Sequence, residues 1–258
     1  MDYLLLAVAA TVIGVFASMI GVGGGIFMVP LLTVVFVPTT HVAVATSLAA
    51  IVFNSVSSTI GYGRQGIVDF RLGFMLMPSA LGGGFLGAYL TEFVSSDVLA
   101  VAFGVLLIYV AVLMLWGRTP KELAERFKRT SEDGQVSYRA LPVMGVGLLA
   151  GTASGFFGIG GGTVMVPAIT LLLGTAVVVA AATSLFVMGP TALAGLIQHS
   201  LQGNPRFDLA VPLAIGIILG AQIGSHLAPR VSQPFLRRLF GVVMLYAAGN
   251  MIWKALGS

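Results

Sequence analysis

Charge is what this sequence has least of: Asp, Glu, Lys and Arg make up 9% of its 258 residues, whereas soluble domains carry about 25%. Hydrophobic residues make up 57%, which is more apolar surface than a water-soluble fold can bury. The composition therefore predicts an integral membrane protein with lipid as the main solvent of its helices. A net charge of +4, carried in loops, does not indicate nucleic-acid binding.

Cysteine is absent and histidine occurs three times. The first absence excludes disulfides, thiol chemistry and cysteine metal sites, and the histidines are too scattered for a metal cluster. We expect no metal and no cofactor. The motifs His-Glu-x-x-His and Gly-x-Ser-x-Gly are missing as well, and no aspartate pair lies within an apolar stretch, so the sequence argues against an enzyme.

A glycine-rich motif of the form Gly-x-Gly-Gly-Gly-x-x-Met-Val-Pro occurs twice, at Gly21–Pro30 and Gly158–Pro167. The offset of 137 residues (158 − 21) is kept without a gap by Ala-Thr-Ser-Leu at Ala45–Leu48 and Ala182–Leu185. The chain is therefore two copies of one unit, and such a repeat decides the fold before any single element does. We predict a first repeat at 1–117, a charged cytoplasmic linker at 118–139 and a second repeat at 140–258.

Ten apolar stretches are bounded by charged or turn residues, at 3–20, 26–38, 41–62, 72–91, 98–117, 140–157, 163–176, 178–199, 208–228 and 235–255. Most approach the length of about 20 residues that a membrane helix needs. Two of them, 26–38 and 163–176, are shorter and follow the glycine motifs, so we interpret them as half-helices. The predicted fold is an all-α integral membrane protein with about eight full helices or ten segments.

The basic residues fall in non-equivalent loops of the two units: Arg64 and Arg71 in the first, and Arg230, Arg237 and Arg238 in the second. Basic loops stay on the cytoplasmic side of a membrane. The two units are therefore predicted to be inverted relative to each other, with both termini outside. This topology requires each glycine-broken element either to cross twice or to enter and leave on one side.

Three consecutive glycines in each motif should interrupt a helix, because each glycine costs about 1 kcal/mol relative to alanine. The helix that restarts presents unpaired N–H groups and a partial positive charge. Two such starts that converge near the bilayer midplane would form an anion site without any arginine. The predicted site consists of Gly23, Gly24, Gly25 and Ile26 in one unit and Gly160, Gly161, Gly162 and Thr163 in the other. Close packing of helices through glycine is the alternative.

Polar side chains repeat on the helix that follows each motif. Thr46, Ser47, Thr183 and Ser184, with Asn54, are candidate donors to the same anion, although hydroxyls also bond back to their own helix. The loops beyond carry candidate gating or coupling residues, with the two charges exchanged between units: Gln65, Asp69 and Arg71, then Gln202, Arg206 and Asp208. Turn formation and helix-end solvation are the alternatives. His199 is the best-placed group that could titrate near neutral pH.

The doubled glycine motif, each copy followed by Ala-Thr-Ser-Leu, resembles the TauE/SafE sulfite exporter family, also called the toluene-sulfonate uptake permease family. The resemblance covers nearly the whole chain. It implies a multi-pass secondary transporter of the prokaryotic inner membrane that exports a small sulfur-containing anion, such as sulfite or an organosulfonate, by alternating access. Protons are the candidate coupling ion, and membrane lipid is the other expected partner. An anion channel that uses the same glycine-lined site is the alternative, and the oligomeric state stays open.

Overall fold

A computed structural model describes residues 2–35, 40–90, 128–130, 136–138, 140–157, 161–201 and 206–257, with isolated helical positions at 105, 108–109, 111–112 and 115. The helices with described bounds are α1 (Asp2–Ile20), α2 (Gly25–Val35), α3 (Thr40–Arg64), α4 (Phe70–Leu90), α5 (Ala140–Phe157), α6 (Gly162–Leu172), α7 (Val177–Leu201), α8 (Phe207–Leu227) and α9 (Gln233–Gly257). The helical membrane fold predicted from the sequence is confirmed. Of the predicted stretch 98–117, only the isolated helical positions are described.

Two short strands interrupt the helical pattern within the predicted linker. Strand β1 (Lys128–Thr130) pairs antiparallel with β2 (Val136–Tyr138), and Lys128 lies opposite Tyr138. A single 3-10 turn, Ala228–Arg230, follows α8. The transmembrane body itself is built from helices, since a helix satisfies its own backbone groups where water is absent.

Two long seams join helices from different halves of the chain, and small residues line both. In the first seam, glycines of α8 meet α1 in rising order: Gly216 at Ala7, Gly220 at Thr11 and Gly224 at Val15. In the second, glycines of α5 meet α4 in rising order: Gly147 at Leu76 and Gly151 at Ala80. Contacts that rise together mean that each pair runs parallel. Absent side chains let the backbones touch, which is the usual way membrane helices associate.

The centre of the bundle is the pair α3 and α7, which occupy equivalent places in the two repeats. Leu48 of α3 lies beside Gly195 of α7, whereas Ser55 lies beside Gly189. Because one number rises while the other falls, the two equivalent helices run antiparallel.

The remaining directions follow from contacts of α3 and α4. The side chain of Gln222 donates to Ser57 O, and Gln65 donates to Ser225 O, so α8 runs parallel to α3. Helix α4 likewise packs parallel to α7. Helices α1, α3 and α8 therefore point one way, and α4, α5 and α7 point the other. Since α1 and α3 share a direction, α2 must return the chain toward the start of α3.

These directions sort the loops between the two ends of the bundle. The α3–α4 loop with Arg64 and Arg71, the start of α5 and the turn that contains Arg230 lie at one end. The start of α1, the end of α4 and Arg206 lie at the other end.

The outer surface is rich in large apolar side chains. Leu4, Leu141 and Trp253 are 74%, 85% and 81% exposed. Soluble proteins rarely expose apolar surface of this extent to water. Among the described residues, the ranges Val177–Ile197 and Asp208–Arg230 are long and apolar enough to cross a membrane. Shorter apolar helices include α6.

Candidate functional site

The first glycine break is a tight reversal between α1 and α2. Gly21, Gly23 and Gly24 have φ values of 81°, 78° and 92°, a region that side-chain-bearing residues rarely adopt. Gly21 and Val22 donate their N–H groups to Ala17 O at 2.8 and 3.0 Å. Within the described part of the chain, the N–H groups of Gly23, Gly24, Gly25 and Ile26 have no acceptor. The start of α2 therefore presents four adjacent buried donors that have no acceptor in the described ranges.

The second break is described from Gly161, because Gly160 lies outside the described residues. Gly161 is the N-cap of α6 and lacks a side-chain cap, with φ −60° and ψ −7°. Its carbonyl accepts from Met165 N at 2.8 Å. Over the same described range, Gly161, Gly162 and Thr163 have no acceptor for their own N–H groups. All three residues are buried, so α6 begins with buried N–H groups that have no acceptor among the described residues.

The two breaks are in direct contact. A Cβ built on Gly162 would collide with Gly21 O and would lie 3.0 Å from Val22 Cα. Ser184 of α7 donates its hydroxyl to the same Gly21 O at 2.9 Å and also to Ala181 O. The N-terminal ends of α2 and α6 thus lie close together, and a side chain from the second repeat fixes the first break in place.

Two apolar side chains that sequence reasoning missed lie beside the breaks. Met188 of α7 is 1% exposed, and its sulfur occupies the place where Gly23 would carry a Cβ. Ile51 of α3 is fully buried, with Cγ2 3.3 Å from that same Cβ position. The two residues are separated by 137 (188 − 51) and are equivalent in the repeat. Nothing in their apolar type distinguishes them from core residues in the sequence.

Beside the first break, Asn54 belongs to a buried polar cluster on α1 and α3. Its Oδ1 accepts from Ser18 Oγ at 2.9 Å and from Ser58 Oγ at 3.4 Å. Tyr62 donates its hydroxyl to Ser18 O at 2.8 Å. Among the residues that the structure describes, the Nδ2 of Asn54 and the Oγ of Ser55 are buried without a partner. An unpaired donor in an apolar interior costs about 1–3 kcal/mol, so this amide, without a partner among the described residues, is a candidate ligand contact.

The position of Ser18 could have drawn attention in the sequence, because it lies three residues before Gly21. The two units differ in sequence at the position of Asn54. Position 191, the equivalent of Asn54, is a threonine. Thr191 donates to the carbonyls of Val187 and Met188 in its own helix.

Thr46 and Thr183, which are predicted anion donors, accept backbone N–H groups near opposite ends of the bundle. Thr46 Oγ1 donates to Val42 O at 2.7 Å and accepts from Arg206 N at 3.2 Å. Thr183 Oγ1 accepts from Asp69 N at 3.1 Å. The two contacts are equivalent under the 137-residue offset, since each threonine fixes the residue before a helix of the other repeat. Ser47 is also buried.

The predicted gating residues lie at opposite ends. Gln65 donates to Gly61 O and Ser225 O, which joins α3 to α8. Asp69 Oδ1 accepts from Leu72 N at 2.9 Å and so caps α4. Arg206 pairs with Asp208 at the other end, where both side chains are nearly half exposed. Arg71 is exposed.

Two further gating candidates cannot be placed. Gln202 lies outside the described residues, as does the side chain of His199.

A bundle of apolar helices that meet at two glycine breaks, with buried donors around them, defines a polytopic membrane transporter. The chain belongs to the TauE/SafE sulfite exporter family: the family model described as "Sulfite exporter TauE/SafE" matches residues 6–251. The resemblance drawn from the motifs is confirmed, and the protein is a membrane transporter, not an enzyme.

Several relatives carry matching names. "Probable membrane transporter protein YunE" of Bacillus subtilis is 29% identical over an alignment of 273 positions, which covers 100% of both chains. A "Probable membrane transporter protein" of Xylella fastidiosa is 30% identical over 249 residues, 95% of this chain and 93% of that one. "Probable membrane transporter protein YfcA" of Escherichia coli is 26% identical over 243 residues, with 94% and 87% coverage. No solved structure matches the chain.

Proposed function

We propose that this protein is a secondary transporter that exports a small sulfur-containing anion, such as sulfite or an organosulfonate. The observation that carries the proposal is the meeting of two helix starts, at Gly23–Ile26 and Gly161–Thr163, whose buried N–H groups lack acceptors among the described residues. Helix starts attract anions because their amides and dipoles point at the ligand. Buried donors that bond an anion in the bound state would recover the desolvation free energy that they lose on burial.

Asn54 supplies a side-chain donor to the same anion. Its oxygen accepts from Ser18 and Ser58, and its Nδ2 has no partner within the part of the chain that the structure describes. Because the hydroxyls fix the amide through its acceptor, the donor is pre-oriented before the ligand arrives. The site needs no cationic side chain, which agrees with a chain whose charges lie in loops and at helix ends.

The sulfur in the proposal comes from the family description, while the geometry would suit any small oxyanion. Carriers of this family description are named for sulfite. Coupling to protons would then use His199, or the protonation of the substrate itself, because acidic residues are absent from the interior of the predicted spans.

Alternating access is supported by the internal symmetry. The equivalent helices α3 and α7 run antiparallel, as inverted repeats require. The reciprocal contacts from Thr46 to Arg206 and from Thr183 to Asp69 link the two halves at both ends. We expect the two units to rock relative to each other, so that these contacts open at one end at a time.

The orientation follows from the distribution of arginine. Arg64, Arg71 and Arg230 lie at the end of the bundle where α5 begins. Basic loops favour the cytoplasm, which supports an inner-membrane protein with the 118–139 linker inside and both termini outside.

Ligand binding and flux test the proposal separately. In detergent, sulfite or methanesulfonate should raise the melting temperature of the purified protein, since a ligand that binds only the folded state stabilises it. In proteoliposomes, the same anions should show saturable uptake and counterflow. Binding with a flux that neither saturates nor shows counterflow would mean a channel. Unchanged binding in the Gly24→Leu plus Gly161→Leu variant would place the anion elsewhere.

A further inference from the structure

The contact between the two glycine breaks is filled by a single flexible side chain. The sulfur of Met188 lies where Gly23 would carry a Cβ, and its methyl carbon lies 2.5 Å from the Cβ position of Gly162. A side chain on either glycine would therefore displace Met188. The two glycines create the volume that the thioether occupies, beside the starts of α2 and α6.

The equivalent residue of the first repeat is Ile51, which has less rotamer freedom than Met188. Ile51 borders the same Cβ position of Gly23 and is fully buried. Isoleucine branches at Cβ, which fixes its rotamer in a helix, whereas methionine is unbranched and rotates about three bonds. The anion site thus has a stiff wall on α3 and a mobile one on α7.

Helix α7 lacks one backbone donor close to Met188. Gly189 and Pro190 follow it inside α7, and Pro190 has no N–H to donate to the carbonyl of Phe186. Thr191 donates to Met188 O at 2.9 Å, a back-bond that tends to bend helices. The equivalent positions of α3, 52 and 53, hold valine and phenylalanine. The second repeat alone therefore lacks a backbone donor at this level.

We propose that Met188 is the movable side chain that closes the anion site and sets the largest anion that enters it. The inference rests on the proposed function and adds a residue that determines access and specificity. When Met188 swings away from Gly23 and Gly162, the space between the two helix starts becomes available to the substrate. When it returns, the site is occluded.

Thiol labelling tests the movement without reference to a substrate. Because the chain has no cysteine, the Met188→Cys variant carries one thiol, and Val187→Cys is the matched control, since Val187 is also fully buried. In proteoliposomes, a sulfonatoethyl methanethiosulfonate reagent should modify the thiol at position 188 and leave position 187 unmodified. Added methanesulfonate should slow the reaction. Equal resistance at both positions would overturn the proposal.

Transport of alkanesulfonates with one to four carbons tests the size limit. Met188→Ala should raise the rate for the longest chain about tenfold, the discrimination typical of a methylene-sized difference in a pocket, and leave methanesulfonate little changed. Met188→Leu should keep the wild-type preference, as should Val187→Ala. A Met188→Ala variant with the wild-type profile would overturn the inference while leaving the proposed function intact. A wild-type protein that carries neither sulfite nor any of these alkanesulfonates would refute the proposed function, even if position 188 is labelled.

Discussion

Replacing Asn54 by leucine removes a buried side-chain donor that lies beside the first glycine break and has no partner among the described residues. A hydrogen bond to a charged group contributes about 1.5–3 kcal/mol, and each 1.4 kcal/mol is about tenfold in affinity. We therefore expect anion affinity to fall about ten- to a hundredfold. The measurement is the thermal shift of the purified protein during titration with sulfite or methanesulfonate.

The stability of the unliganded protein provides the second half of this test. Leucine removes a desolvated amide nitrogen, which is favourable, but it also leaves Ser18 and Ser58 without their shared acceptor. Each effect is about 1–3 kcal/mol, and they oppose each other, so the melting temperature without ligand should move little. At a ligand concentration of about 100 times the wild-type dissociation constant, the stabilisation of about 2.7 kcal/mol should fall by half or more.

Thr170→Val is the matched control, because Thr170 Oγ1 is likewise buried without a partner among the described residues but lies near the C-terminal end of α6, away from the glycine break. It should keep the wild-type anion response. If Asn54→Leu also keeps that response, Asn54 does not contact the anion and the reasoning from its unpaired nitrogen is refuted.

Three further outcomes concern stability and are measured by thermal or denaturant unfolding in detergent. Gly83→Ala should destabilise by about 1–3 kcal/mol, because its Cβ would strike a backbone carbonyl of α5, whereas Gly82→Ala meets open space and should be neutral or stabilising; equal effects would contradict the seam. Ser184→Ala should cost about 1–3 kcal/mol by leaving Gly21 O without its donor, and a neutral result would count against the contact between the breaks. Arg206→Gln should change stability by less than about 1 kcal/mol, since its ion pair is exposed; a larger loss would indicate a role beyond that pair.

Much of the helical framework could be predicted from the sequence because apolar stretches in lipid leave the backbone few choices. The stretch predicted at 140–157 is α5 without change, and the short stretches after the glycine motifs are α2 and α6. The repeated glycine motif also predicts where the helices are interrupted. Each of these inferences depends on local properties of the chain.

Side-chain partners were harder to predict because they depend on which helices become neighbours. Thr46 and Thr183 were grouped with the anion donors, yet their hydroxyls accept N–H groups at opposite ends of the bundle. The role of Met188 could not be predicted from the sequence, because a methionine in an apolar helix resembles any core residue. Only the structure places its sulfur against Gly23. The antiparallel packing of α3 and α7 creates both situations, and it is a property of the whole chain.

The two seams, α1 with α8 and α4 with α5, have a consequence for how such a chain could arise. In both seams the partners come from opposite halves of the sequence, so either half alone would leave a glycine-lined groove open to lipid. A gene for a single half could cover that groove only by pairing two identical products inserted in opposite orientations. Fusing the copies through a short hydrophilic connector would guarantee the opposite insertion and equal amounts of the two partners. The fused halves could then diverge, as Asn54 and Thr191 have.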